Sequence, residues 1–214
     1  MFPAQSNMSR TAVFLAAVVI LFVVFACREY ICTCYQWYYL RYFKSLTREG
    51  AKTMLLAFDD AARESGLSYW LSEGTALGAV REGSYIEGDG DVDVGIFASQ
   101  HDKLLHRVVP FLQRHHGVIA THRPLKTPPK PLHLLFPGIG RMDIDIVALG
   151  KPCMAIMWPR PCEEILPYLQ SFRQARMYDR YFYVPQDDYL VRLYGADWRV
   201  PKPNFKPKEA NGLR

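Results

Sequence analysis

Two short acidic runs carry the residue types on which metal chemistry is built. Ile86-Glu-Gly-Asp-Gly-Asp-Val-Asp-Val-Gly95 spaces Asp89, Asp91 and Asp93 two apart, with Val92, Val94 and Ile96 falling in alternation with them. In an extended strand alternate side chains share a face, so Asp91 and Asp93 point one way while the apolar residues point into a core. Arg141-Met-Asp-Ile-Asp-Ile-Val-Ala-Leu149 repeats the pattern, with Asp143 and Asp145 on one face and Met142, Ile144 and Ile146 on the other. Carboxylates crowded on one face of a half-buried strand repel each other unless a cation sits between them. If the two strands lie side by side, three carboxylates converge. That is the arrangement two-metal phosphoryl transfer uses to orient a nucleophile and neutralise charge on the transferred group.

Hard carboxylate oxygens without nearby Cys or His point to Mg2+ or Mn2+ rather than zinc. An EF-hand is excluded, because its loop needs Gly at position 6 and Glu at position 12, and counting from Asp89 those positions hold Val94 and Gln100.

The elements that must position these residues follow from periodicity. The spacing predicts a helix over Leu46 to Ser65, capped by Ser45 and stopped by Gly66, with Ala51, Met54, Leu55, Phe58 and Ala62 on one face. A short apolar strand, Ser68 to Ser72, leads into a Glu73-Gly-Thr75 turn, a brief helix from Ala76 to Arg81, and a loop from Glu82 to Gly90. The first acidic strand then covers Asp91 to Phe97. Ser99 caps a helix to His115 that Pro110 kinks, and Val118 to Thr121 is extended. Leu132 to Phe136 and the second acidic strand form a hairpin across Pro137-Gly-Ile-Gly140. Arg123 to Pro131 is a Pro- and Lys-rich loop. Pro185 to Gly195 opens a helix with Pro and acidic residues and closes it with Gly.

The 214 residues, half of them hydrophobic, exclude a disordered chain and leave room for one domain of ordinary size. A net charge of +5, scattered along the chain, lacks the basic stripe of a nucleic-acid binder, so no nucleic-acid partner is expected. Residues 11–27 are uncharged and apolar between Arg10 and Arg28, which predicts a transmembrane signal-anchor. The alternative is a signal peptide cut after Ala26. Domain organisation is therefore a tail at 1–10, the anchor at 11–27, an aromatic juxtamembrane stem at 28–45, the catalytic domain at 46–200 and a Pro- and Lys-rich tail at 201–214. Flanking Arg and Lys taken alone would place the domain in the cytoplasm. Cys27, Cys32 and Cys34 lie beside the membrane run, Cys153 and Cys162 could close a loop in an oxidising compartment, and no Cys/His set has zinc spacing.

Together these residues resemble the LicD/fukutin family of phosphotransferases. Gly74, Thr75, Gly78, Ala79, Arg81, Ile86, Asp89, Asp91, Asp93 and Gly95 match the family pattern in order and spacing. Ile144-Asp-Ile-Val147 resembles its second acidic strand, and Tyr189-Leu to Tyr194-Gly195 and Trp198 its closing element. The resemblance implies an α+β, nucleotidyltransferase-like mixed sheet flanked by helices. It also implies transfer of a phospho-alcohol, such as phosphocholine or ribitol phosphate, from a CDP-linked donor to a hydroxyl of a glycan acceptor. Asp91, Asp93 and Asp145 would be the catalytic, metal-holding carboxylates, with Asp145 rather than Asp143 in the catalytic position. Gly74, Thr75 and Arg81 would bind the donor phosphates, against a surface ion pair of Arg81 with Glu82 or Glu87. Asp89 and Asp143 would support. The implied location is the lumenal side of a Golgi or other secretory-pathway membrane, opposite to the flanking charge. Glu73 replaces a usual Gly, and Glu87-Gly88 replaces Pro-Trp. Those departures keep open a membrane-anchored pseudoenzyme, and the anchor with an Asp-x-Asp motif keeps open a Golgi nucleotide-sugar glycosyltransferase.

Overall fold

The computed structural model describes residues 19, 46–122, 132–148, 154–155 and 166–202. The chain divides into two compact units, Met1–Lys44 and Ser45–Arg214, and every element from Arg48 onward belongs to the second. The anchor run at 11–27 lies outside the described residues except Val19, which is helical and exposed. The stem at 28–45, the loop at 123–131, Cys153, Cys162 and residues 203–214 lie outside them too. Among the described residues no helix is long and apolar enough to cross a membrane.

Helix α1 spans Arg48–Ser65 and starts two residues later than the periodicity suggests, because it is the Thr47 hydroxyl that accepts the free Gly50 N–H, at 3.0 Å. Gly66 ends it in the left-handed region at φ 65°. Strand β1 is short, Trp70–Leu71, and α2 runs Glu73–Arg81. The expected turn at Glu73 to Thr75 is thus already the first helical turn. Ser72, extended at φ −117°, stands at the cap, and its carbonyl accepts the Ala76 N–H. Strand β2 is Val92–Phe97.

The next helix meets Pro110 through a change of helix type. Segment α3 (His101–Lys103) passes through a wide π turn at Leu104–Val108 into α4 (Val109–His116). Pro110 has no N–H and its ring crowds the carbonyl four residues back. The helix accommodates it by widening, so that the Val109 N–H bonds to the Leu104 carbonyl, five residues away.

Strands β3 (Ile119–His122), β4 (Leu132–Phe136), β5 (Gly140–Ala148) and β6 (Met154–Ala155) complete a sheet of order β1-β2-β5-β4-β3, with β6 paired to β5. Among the described residues only the central β2–β5 pair is parallel; its neighbours are antiparallel, which makes the sheet mixed. Val92, Val94 and Ile96 of β2, Met142, Ile144 and Ile146 of β5, and Leu132 and Leu134 of β4 are buried in one core. Met54, Leu55 and Phe58 of α1 share it with Leu104, Val108 and Leu112 of the following helix. Each such side chain contributes about 1.5–3 kcal/mol through apolar surface removed from water.

A second sheet, unexpected from sequence, is the hairpin β7 (Phe172–Met177) and β8 (Arg180–Pro185) around Tyr178, itself at φ 56°. Asp59 of α1, buried, holds this hairpin. Its Oδ2 accepts from Arg180 Nη1 at 2.7 Å and from Arg63 Nε at 2.8 Å, while its Oδ1 accepts from Tyr69 Oη at 2.8 Å. The last helix, α5, is Asp187–Tyr194.

Candidate active site

Parallel pairing of β2 with β5 sets the register on which the site depends: Asp93 lies beside Asp143, and Gly95 beside Asp145. Asp91, one residue before β2, continues the same face. One carboxylate oxygen from each of Asp91, Asp93 and Asp143 lies within 4.8 Å of the others, a spacing that suits a shared hard cation. Among the described residues this is the group brought together. Asp145 stands one step further along the same face of β5 and is held differently, through Ser72.

The N-terminus of α2 fixes Asp93. The Ser72 N–H donates to the Asp93 carbonyl at 3.1 Å, and the Asp93 N–H donates to Thr75 Oγ1 at 2.8 Å. Thr75 is buried and ties helix to strand. Gly74 admits a neighbour, since a Cβ there would lie 2.2 Å from Asp89 Oδ2. Its missing side chain is used by a carboxylate of the loop. Asp89 is further held by the Gly90 N–H at 3.0 Å and, through its carbonyl, by the Tyr85 hydroxyl. The Arg81 guanidinium forms an ion pair with Glu82, with Nη2 2.6 Å from Oε1.

Further groups complete the site. Tyr189, buried on α5, reaches the α2 N-terminus, where its hydroxyl is 3.2 Å from Ser72 Oγ and accepts the Glu73 N–H at 3.3 Å. Ser72 Oγ in turn donates to Asp145 Oδ2 at 3.1 Å. Since an N–H can only donate and a carboxylate accepts, the hydroxyl hydrogens align in one direction: Glu73 N–H to Tyr189, Tyr189 to Ser72, Ser72 to Asp145. Arg141 bonds Asp91 Oδ2 through Nη2 and brings Nε to 2.7 Å from Asp143 Oδ1. The Nε contact is a close ion pair rather than an aligned hydrogen bond. His133 Nδ1 meets the same Asp143 oxygen at 2.7 Å. Finally, Glu73 itself sits at φ 39°, a left-handed conformation natural to Gly.

Burial and mutual repulsion dominate the electrostatics. Burial, then the Asp91 charge, pushes Asp89 up to about 6. Asp93 is held well above the ordinary carboxylate range by burial and then by Asp91, Glu73 and Asp145. Asp145 is raised likewise by burial and by Glu73, with the Ser72 hydrogen bond opposing. Asp91 is raised by burial and Asp143, with Arg141 pulling the other way. Carboxylates that resist ionising together are the physical signature of a site that wants a cation. Hard oxygen donors on two rigid strands fit a divalent cation.

Asp143 lies in the position the resemblance assigned to Asp145 as partner of Asp91 and Asp93. Both share one face, and only the register separates them. Arg141 has the same parity as Asp143 and Asp145, so the period-two pattern already placed it among them. Ser72 and His133 carry no such signal.

Residues 66–122 match the family model described as LicD/FKTN/FKRP, nucleotidyltransferase domain. No curated protein matches the chain in sequence. Among solved structures, the lincomycin-bound lincosamide adenylyltransferase LnuA is 15% identical, over 69% of this chain and 85% of its own, with a TM-score of 0.44. The antibiotic-resistance factor ANT(2'')-Ia is 17% identical over 77% and 80%, with a TM-score of 0.49. The GTP-bound terminal uridylyl transferase 4 from Trypanosoma brucei is 13% identical over 48% and 31%, with a TM-score of 0.33.

Proposed function

We infer that this chain, a member of the LicD/FKTN/FKRP nucleotidyltransferase-domain family through residues 66–122, is a metal-dependent phosphotransferase. It moves a phospho-alcohol from a CDP-linked donor to a hydroxyl of a glycan. The observation that carries this reading is the meeting of Asp91, Asp93 and Asp143 from adjacent parallel strands beside the N-terminus of α2.

Asp91, Asp93 and Asp143 would hold Mg2+ or Mn2+, whose charge would offset that of the donor phosphates and of the transferred group. The anchored backbone of Asp93 keeps its carboxylate from swinging away. Asp145, oriented by Ser72 and Tyr189, would take the proton of the acceptor hydroxyl. The acceptor oxygen then forms a bond to the phosphorus that carries the alcohol, the bond from that phosphorus to the bridging oxygen breaks, and CMP leaves. The α2 N-terminus would receive the donor phosphates, Thr75 would support it from its buried bond to the Asp93 N–H, and Arg81 would have to exchange its Glu82 partner to reach them. Residues 11–27 would anchor the domain on the lumenal side of a secretory-pathway membrane.

The test is release of CMP from CDP-choline, CDP-ribitol and CDP-glycerol, with UDP-sugars alongside, in Mg2+ or Mn2+ and in EDTA. Turnover of a CDP-alcohol only with metal, reduced at least about a hundredfold in Asp93→Asn, is expected. Turnover of UDP-sugars alone, or full activity in Asp93→Asn, would refute it. A non-catalytic reading draws on one observation: Arg141 already neutralises two of the three clustered carboxylates. In that case the chain binds neither Mn2+ nor nucleotide.

A further inference from the structure

Arg141 occupies the ground a metal ion needs. Its planar fork spans from Asp91 Oδ2 to Asp143 Oδ1, joining two of the three carboxylates that cluster within 4.8 Å. His133 adds a second donor to that Asp143 oxygen. An arginine cannot escape by losing its proton. A divalent ion binding oxygens at about 2.0–2.1 Å would draw on the same carboxylates and would face a fixed positive charge at short range. The guanidinium and a divalent ion would therefore compete for the same two carboxylates.

We propose that Arg141 is a tethered stand-in for the divalent cation: it clamps Asp91 and Asp143 in the metal-free protein, and the metal enters by displacing it. The inference rests on the reading of Asp91, Asp93 and Asp143 as metal ligands. Arg141 is then a positioning residue. It keeps the carboxylates close enough to receive the ion, at the expense of affinity, and the exchange leaves its fork free for another anion. A purely structural arginine predicts the opposite sign, because losing it would scatter the ligands and weaken metal binding.

The experiment is calorimetric titration of the full-length chain with Mn2+, for the wild type, Arg141→Met and Arg141→Lys, with melting temperatures in EDTA recorded beside it. Arg141→Met is expected to bind Mn2+ about ten- to a hundredfold more tightly than the wild type, the equivalent of removing one or two charge-assisted contacts, and to melt lower in EDTA. Arg141→Lys keeps the charge and folds even if the Met variant does not. Its compact ammonium reaches one carboxylate at a time, so an increase of roughly three- to tenfold is expected. Unchanged or weaker Mn2+ binding in both variants, with the wild type binding, overturns the exchange and leaves the metal-dependent transferase standing. Absence of Mn2+ binding in all three proteins overturns both.

Discussion

Glu73 sits at φ 39° at the start of α2, and its charge helps to raise Asp93 and Asp145. Replacing it with Gly and with Ala isolates the backbone term, because both substitutions delete the same side-chain interactions and differ only in the Cβ. Holding a non-glycine residue in the left-handed region costs roughly 1–2 kcal/mol, while Gly in a helix costs about 0.5–1 kcal/mol more than Ala. The difference leaves Glu73→Gly about 1 kcal/mol more stable than Glu73→Ala. For a unit spanning residues 45–214 that is roughly 2–4 °C in melting temperature. The assay is thermal and urea unfolding in EDTA, with equal urea slopes confirming that the unfolded state is unchanged. A Glu73→Ala protein as stable as Glu73→Gly, or more so, would refute the backbone argument. The departure from Gly at this position would then owe nothing to conformation.

Two other outcomes follow from the buried hydroxyls. Tyr189→Phe removes the group linking the Glu73 N–H to Ser72. It should lower stability by about 1–3 kcal/mol and reduce kcat for CMP release about tenfold with KM for the donor unchanged. An unaltered kcat would show that the hydroxyl chain does not orient Asp145. At alkaline pH, burial raises the phenols of Tyr69, Tyr189 and Tyr194 above the usual tyrosine range. Below pH 10 both folded and unfolded chains keep these protons; above it the unfolded chain releases them first. Stability is therefore intact below about pH 10 and falls beyond it, by about 1.4 kcal/mol per phenol per pH unit. Tyrosinate absorbance should rise together with loss of near-ultraviolet circular dichroism; titration of all tyrosines in the still-folded protein would contradict it.

The strand parity of the two acidic runs was legible because alternation is a local property, and the core residues Val92, Val94, Ile144 and Ile146 follow from the same count. Which carboxylate of β5 lies closest to those of Asp91 and Asp93 was not legible. Asp143 and Asp145 are equivalent by period, and only the parallel register, set across 50 residues, distinguishes them. The mixed α+β sheet was expected, and helix α5 ended at the Gly195 that signalled it, but it began at Asp187, because Pro185 closes β8 instead of opening the helix. The β7–β8 hairpin escaped because Phe172-Arg-Gln-Ala-Arg-Met177 has no clean alternation. Its inner residues are defined by packing on α2 and β1 rather than by pattern. Arg141 was visible as a residue of the acidic strand, but its role depends on a contact with Asp91 that no local rule supplies. Tyr189 entered only through the family resemblance, and its hydrogen bonds to Ser72 and Glu73 join residues more than a hundred positions apart.

That separation has a consequence for how the protein comes to be competent during synthesis. The carboxylate cluster needs nothing beyond Asp143, so it can assemble as soon as β5 has left the ribosome and found β2. The hydroxyl chain that aims Asp145 waits for α5, more than forty residues later. A nascent chain paused between those points would carry a place for the metal but no oriented proton acceptor, so the order of emergence would keep transfer silent until the domain is nearly complete.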